Sequence, residues 1–244
     1  MDGHATERYR KAGRSLLAWL LSPLVDGLAA AGVRANEVTV VSLVAGFVAG
    51  AALAFDQFGW ATAAILFASL GDAVDGMLAR RTDSASVGGA LLDAAVDRYG
   101  EFFILAGLAV LFHDSAPMLI LVLCALAGSF MVSYGSAKAE AMRVAVPDGL
   151  MRRAERATVL CVGVATVPFA GEMAWRFDVP WVHHAPILLA LLIVAVCANA
   201  SAVRRLRLVA LAAAPPAVVK PLPLQAPERP GHVSTNRGHV SASR

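Results

Sequence analysis

The chain has 244 residues, of which 58% are hydrophobic and 16% charged, with a mean hydropathy of +0.64. That balance excludes an ordinary soluble globular domain and describes an integral membrane protein. A formal net charge of +3 is too small to argue for a nucleic-acid partner, and Cys124, Cys161 and Cys197 lie singly in apolar runs, without metal-ligand spacing or a paired framework.

The chain opens polar, with Glu7, Arg8, Arg10, Lys11 and Arg14, and no cleavable signal peptide is expected. Residues 15–31 are apolar but interrupted by Pro23 and Asp26, which predicts an amphipathic helix along the membrane surface, or a short helix packed on the protein, and not a span. A turn over 32–37 leads into residues 38–55, long and apolar enough for a first span. Residues 56–59 turn the chain back, Trp60 can anchor at the interface, and a second span follows over 61–80. A polar linker over 81–87 precedes a third span over 88–112, and a fourth over 118–134 leads into Ser136, Lys138, Glu140 and Arg143. Arg152, Arg153, Glu155 and Arg156 precede a fifth span over 157–170. In the next loop the adjacent His183 and His184, beside Trp175 and Trp181, read as an interfacial cluster in preference to a metal site. A sixth span over 186–203 is closed by Arg204, Arg205 and Arg207, and the Pro-rich remainder lacks periodicity. The expected fold is an all-α membrane protein of six transmembrane helices preceded by an N-terminal amphipathic interfacial helix. Its expected divisions are an N-terminal segment over 1–37, a six-span domain over 38–208 and a disordered tail over 209–244.

Basic residues settle the expected orientation. Arg34, Arg80, Arg81, Lys138, Arg143, Arg152, Arg153, Arg156 and the group after the sixth span share one side with the basic N-terminus, whereas Arg176 stands alone in an opposite loop. The positive-inside rule places the rich side, both termini included, in the cytoplasm of a multi-pass cell-membrane protein.

On that side lies the stretch that carries chemistry. Asp72, Asp75, Gly76 and Ala79 share one helix face at i, i+3, i+4 and i+7, and Gly89, Asp93 and Asp97 make an i, i+4, i+8 stripe on the next helix. An uncompensated Asp at bilayer depth costs roughly 2.5–3.5 kcal/mol even on insertion scales, so four of them call for a bound cation. Hard oxygen donors of this kind suit Mg²⁺ or Mn²⁺, and two ions can bridge a pyrophosphate. Small residues at 76, 79 and 89 let a ligand approach the backbone closely, and Arg80 can fork onto phosphate oxygens. Glu101, one more step along the stripe, is either a further partner of the site or a helix-packing carboxylate. A purely structural network of the Asp residues with Arg80 and Arg98 is the alternative for the whole set.

The spacing Asp, two residues, Asp-Gly, two residues, Ala-Arg, eight residues, Gly, three residues, Asp, three residues, Asp is filled by Asp72, Asp75, Gly76, Ala79, Arg80, Gly89, Asp93 and Asp97. It resembles the signature of the CDP-alcohol phosphatidyltransferase family. Asn36 and Thr39 are similar to that family's Pro-Asn-x-x-Thr opening, with Ala35 in place of the proline. The resemblance implies a membrane enzyme of phospholipid synthesis, in which an alcohol hydroxyl attacks the lipid-side phosphorus of CDP-diacylglycerol and CMP leaves. It implies that Asp72, Asp75, Asp93 and Asp97 hold two Mg²⁺ or Mn²⁺ ions, with Asp97 also the general base, and that Asn36, Thr39, Gly76, Ala79, Arg80 and Gly89 line the CDP-lipid site. It also implies a homodimer among the membrane lipids. Ser133 to Glu140 and Arg153 to Arg156 look like the segment through which the inositol-phosphate-using branch holds its acceptor's phosphate, which nominates Lys138, Arg153 and Arg156. Topology charges are the competing reading of those three, and glycerol 3-phosphate a competing acceptor. An intramembrane prenyltransferase and a cation transporter are the alternatives from other classes: the first usually carries two Asp-rich motifs far apart, whereas both halves here lie on consecutive spans, and the second would show discontinuous helices and repeated halves, whereas the C-terminal half holds no second Asp-rich stretch.

Overall fold

The computed structural model describes residues 18–146, 149, 151–179 and 182–213. Every regular element among them is a helix: α1 (Ala18–Ala30), α2 (Ala35–Ala54), α3 (Phe58–Arg81), α4 (Val87–Leu111), α5 (Ala116–Ala141), α6 (Arg153–Phe177) and α7 (Ala185–Ala213). Five of these, α2, α3, α5, α6 and α7, are long and apolar enough to cross a bilayer, which makes this a multi-pass membrane protein. α4 is equally long at 25 residues, but Asp93, Asp97, Arg98 and Glu101 make its first half too charged to meet the same measure. The count of six expected spans is thus met by five on composition.

The helices run past the ends that apolarity alone suggests. Ser136, Lys138 and Glu140 lie inside α5, Arg153 to Arg156 form the first turn of α6, and α7 continues through Ala213, beyond the expected boundary at 208. Backbone hydrogen bonding does not stop where side chains become polar, so a helix leaves the bilayer intact and carries its charges with it. Residues 214–244, where most of the expected tail falls, lie outside the described residues.

Local chemistry sets the ends. The Glu37 carboxylate accepts from Arg34 N at 3.2 Å and Glu155 from Arg152 N at 2.8 Å, so an acidic side chain in the first turn folds back to close α2 and α6. Ser86 Oγ accepts from Gly89 N at 3.0 Å and caps α4. α1 ends at Gly32, whose φ of +73° permits the reversal in which Val33 N donates to Leu28 O. That helix buries Leu21 and Val25 against Val74 and Leu78 of α3, and Asp26 pairs with Arg81 at 2.9 Å. Trp19, Leu20 and Leu24 face outward.

α2 and α4 meet backbone to backbone. A methyl group placed on Gly50 would overlap the Phe103 carbonyl, one on Gly107 would overlap the Gly50 carbonyl, and one on Gly46 would come within 3.2 Å of Gly100 Cα. Without a hydrophobic force between helices in lipid, such close contact of small residues supplies the packing. It sets α2 firmly against the helix that carries Asp93 and Asp97. Gly107→Ala is therefore expected to lower the thermal midpoint and the monodisperse fraction in detergent, by the 1–3 kcal/mol or so of an overpacked core. Gly59→Ala, which meets nothing within 4 Å, should be silent, and equal behaviour of the two would contradict this account. At the other side of the bundle Asn199 Nδ2 on α7 donates to the Cys124 carbonyl of α5 at 2.9 Å and its own Ala195 carbonyl at 2.8 Å, fastening those two helices.

Candidate active site

The site grows from the turn between α3 and α4. Because the linker over 82–86 is short and both helices pack against α2, the last turns of α3 and the first turns of α4 flank one space, with Asp72 and Asp75 on one side of it and Asp93 and Asp97 on the other. α2 supplies the third wall. Thr39 Oγ1 donates to Asp75 Oδ2 at 2.7 Å, with the Ala35 carbonyl at 3.1 Å, and both Thr39 and Asp75 are buried. A hydroxyl aimed at a buried carboxylate fixes its rotamer and offsets part of its desolvation.

One cavity of about 180 Å³ lies between these walls, lined by Asn36, Thr39, Asp75, Gly76, Ala79, Arg80, Gly89 and Asp93, together with Ser84, Ala85 and Ser86 of the linker. All six residues expected to line a CDP-lipid site are brought to this single space. Gly76 leaves room for the Arg80 guanidinium, whose Nη1 would stand 3.6 Å from a Cβ there, and a Cβ on Gly89 would stand 3.5 Å from Asn36 Oδ1. Side chains at either position would fill the cavity from its helical walls.

A second, smaller cavity of about 60 Å³ is lined by Asp72, Glu101 and Arg153 with Ser42 and Gly46. Arg153 Nη2 lies 3.1 Å from Asp72 Oδ2 and 2.6 Å from Asp97 Oδ1. One guanidinium nitrogen thus draws together a carboxylate from each Asp-bearing helix and offsets their mutual repulsion. Arg98 does not take part: its Nη1 donates to the Ala94 carbonyl one turn back on α4. The structural network of Asp with Arg80 and Arg98 is accordingly not the arrangement found.

Of the three residues nominated for an acceptor phosphate, Lys138 is exposed on α5 and Arg153 is half exposed on the carboxylates. Arg156 departs from the nomination. It is 1% exposed and grips Glu101 with two hydrogen bonds, Nε to Oε1 at 2.8 Å and Nη2 to Oε2 at 3.0 Å. Glu101 is accordingly a helix-packing carboxylate, joining α4 to α6. Arg205 joins this end of the bundle without being singled out by the sequence pattern. That residue, assigned only to the charges closing the last helix, reaches Ser136 Oγ with Nη1, stands beside Gly149, and has a buried Nε without a hydrogen-bond partner. Its signal was the i, i+4 relation to Ser201, which places both on the inner face of α7.

The donor set fits a hard divalent cation. Asp72, Asp75, Asp93 and Asp97 offer carboxylate oxygens from two facing helices, and neither His nor Cys lines the cavities. Comparison with known proteins decides the class, since a sequence profile of CDP-alcohol phosphatidyltransferases matches residues 33–197. The chain belongs to the CDP-alcohol phosphatidyltransferase family.

It is similar to the phosphatidylinositol phosphate synthase of Mycolicibacterium smegmatis, 29% identical over 177 residues that cover 70% of this chain and 77% of that protein. The Mycobacterium tuberculosis H37Rv protein of the same name is 32% identical over 174 residues, covering 69% of this chain and 76% of the relative. Among solved structures, M. tuberculosis phosphatidylinositol phosphate synthase with CDP-DAG bound matches at a TM-score of 0.68 and 25% identity, covering 79% of this chain and 94% of that one. The same enzyme in complex with manganese and citrate matches at a TM-score of 0.66, over 77% and 87%. This CDP-alcohol phosphatidyltransferase is therefore an enzyme of phospholipid synthesis with an all-helical membrane fold, and the cavity between α2, α3 and α4 is its candidate active site.

Proposed function

We propose that the protein transfers the phosphatidyl group of CDP-diacylglycerol to the hydroxyl of a phosphorylated alcohol, inositol phosphate being the acceptor favoured by its relatives, and releases CMP. The observation that carries this reading is the convergence of Asn36, Thr39, Gly76, Ala79, Arg80 and Gly89 with Asp75 and Asp93 on one cavity. Asp72, Asp75, Asp93 and Asp97 would hold Mg²⁺ or Mn²⁺, which supplies charge neutralisation on the pyrophosphate and the leaving phosphate. Arg80, which lines the same cavity one turn beyond Gly76 on α3, would fork onto the same phosphates. Asp97 takes the proton of the acceptor hydroxyl as its oxygen forms the new bond to the lipid-side phosphorus. The bond from that phosphorus to the oxygen of the cytidylate phosphate breaks, and CMP departs with that oxygen.

Arg153 suits a positioning role. Its Nη2 is engaged by Asp72 and Asp97, while its other N–H groups remain for an acceptor phosphate, so one side chain can tie the acceptor to the base. Lys138, with Ser136 and Arg205 farther along the same end of the bundle, extends the cationic surface such an acceptor requires. We take this end to be cytoplasmic and the membrane to be the cell membrane, with α1 lying along its surface, residues 38–208 as the catalytic domain and a homodimer as the assembly.

The test is CMP release by the purified full-length protein from CDP-diacylglycerol, with inositol phosphate, glycerol 3-phosphate and unphosphorylated inositol offered in parallel. Turnover should require Mg²⁺ or Mn²⁺ and a phosphate on the acceptor. Full activity in excess chelator would remove the metal from the mechanism, and preference for glycerol 3-phosphate or for free inositol would replace the acceptor assignment.

A further inference from the structure

A second set of metal-binding side chains stands at the opposite end of α3. Asp56, in the turn between α2 and α3, and His183 and His184, at the start of α7, each offer one ligand atom, and the three atoms all lie within 4.8 Å of one another. Phe58 begins α3 and Asp72 comes 14 residues later (72 − 58 = 14), so at 1.5 Å per residue the two sets are about 21 Å apart along the helix. None of the three residues lines the cavities of the candidate active site.

We propose that Asp56, His183 and His184 form a binding site for a borderline transition-metal ion of the Zn²⁺ class, which clasps the α2–α3 turn to the start of α7. Two imidazoles and one carboxylate are the donor types that Zn²⁺ accepts and Mg²⁺ does not seek, which sets this ligand chemistry apart from the all-carboxylate set. Ligands about 2.1 Å from one ion stand at most about 4.2 Å apart, so a small rotation of the side chains closes the present geometry. The polar contact already present is weak: His184 Nε2 lies 3.4 Å from Asp56 Oδ1, long for a hydrogen bond, and neither residue is committed to a tight ion pair. The rings are held in place by their surroundings. His184 packs edge-on against Phe112 at 5.4 Å and beside Phe58 at 5.8 Å, while His183 lies flat on it at 4.4 Å with only 7° between the planes. All three side chains remain partly exposed, which gives an ion a path of entry and leaves a fourth position for water. Read as a sequence, the histidine pair lacked its third donor, because Asp56 is 128 positions from His184.

The experiment uses full-length protein free of affinity-tag histidines, in detergent, with excess Mg²⁺ present to fill the carboxylate set. After equilibrium dialysis against Zn²⁺, elemental analysis should give one more Zn²⁺ per chain for the wild type than for the triple variant D56N/H183Q/H184Q. Zn²⁺ should also raise the thermal midpoint of the wild type alone, because an ion that binds only the folded state stabilises it by mass action. The variant's CMP release in Mg²⁺ should match the wild type, which certifies its fold. If the triple variant does not fold, H183Q alone provides the comparison and should bind Zn²⁺ at least roughly tenfold more weakly. Equal Zn²⁺ content in wild type and variant, or an unshifted midpoint, overturns the proposal, and neither result bears on the phosphatidyl transfer.

Discussion

Asp97→Asn should lose about 10²–10⁴-fold in CMP release and stay lost at saturating Mg²⁺ or Mn²⁺, the range that removal of a positioned base removes. Asparagine keeps the shape of the side chain and one oxygen for a metal, but its amide cannot take the acceptor's proton. Asp72→Asn, Asp75→Asn and Asp93→Asn remove charge from the donor set, so part of their loss should return as the metal concentration is raised. The geometry adds a control. Arg153 Nη2 lies on both Asp72 and Asp97, so Asp72→Asn disturbs the same guanidinium as Asp97→Asn without touching the base. If both variants recover together on raising the metal, Asp97 is a ligand and the base lies elsewhere. CDP-diacylglycerol affinity, measured beside turnover, should change little for Asp97→Asn, because Asn36, Thr39, Gly76, Arg80 and Gly89 are untouched.

Arg156→Met should destabilise the fold by about 3–5 kcal/mol, because it leaves Glu101 charged and unpaired in the bundle. The pair is a strong candidate for so large an effect, with side chains only 1% and 11% exposed and two hydrogen bonds between them. Removing both charges, as in Glu101→Gln with Arg156→Met, leaves no buried ion and should restore much of the thermal midpoint in detergent. A folded Arg156→Met protein whose sole defect is weak use of a phosphorylated acceptor would return Arg156 to the phosphate site. Thermal midpoint and acceptor KM, read on the same preparations, separate these outcomes.

The contrast between Asp97 and Arg156 marks how far residues alone can be read. The convergence of the carboxylates was legible because it depends on spacing within two consecutive helices, and a spacing of three or four residues fixes a face before any packing is known. Asn36 and Thr39 were legible for the same reason, as an i, i+3 pair. Arg156 was not: its partner is 55 positions away, and a cation beside a membrane has the same one-letter signature whether it faces water, phosphate or a buried glutamate. Arg205 was hidden among the arginines that close α7. The helices α5, α6 and α7 run a turn or more beyond the expected spans, because hydropathy measures the bilayer and not the hydrogen-bonded rod passing through it.

The glycine crossing of α2 and α4 has a consequence for traffic through the membrane. Two helices whose backbones touch at Gly50 and Gly107 cannot slide or part without surrendering that contact along much of their length, so the wall bearing Thr39 and the wall bearing Asp93 behave as a single rigid jaw. The opposite rim of the cavity is made by Ser84, Ala85 and Ser86, an exposed strip of chain with no helix of its own. Of the cavity's boundaries this strip alone lacks a helix's internal hydrogen bonds, so a change in the cavity's width falls to it before it falls to the helices. Stiffening it should slow exchange of lipid for lipid while leaving the chemical step at the carboxylates untouched.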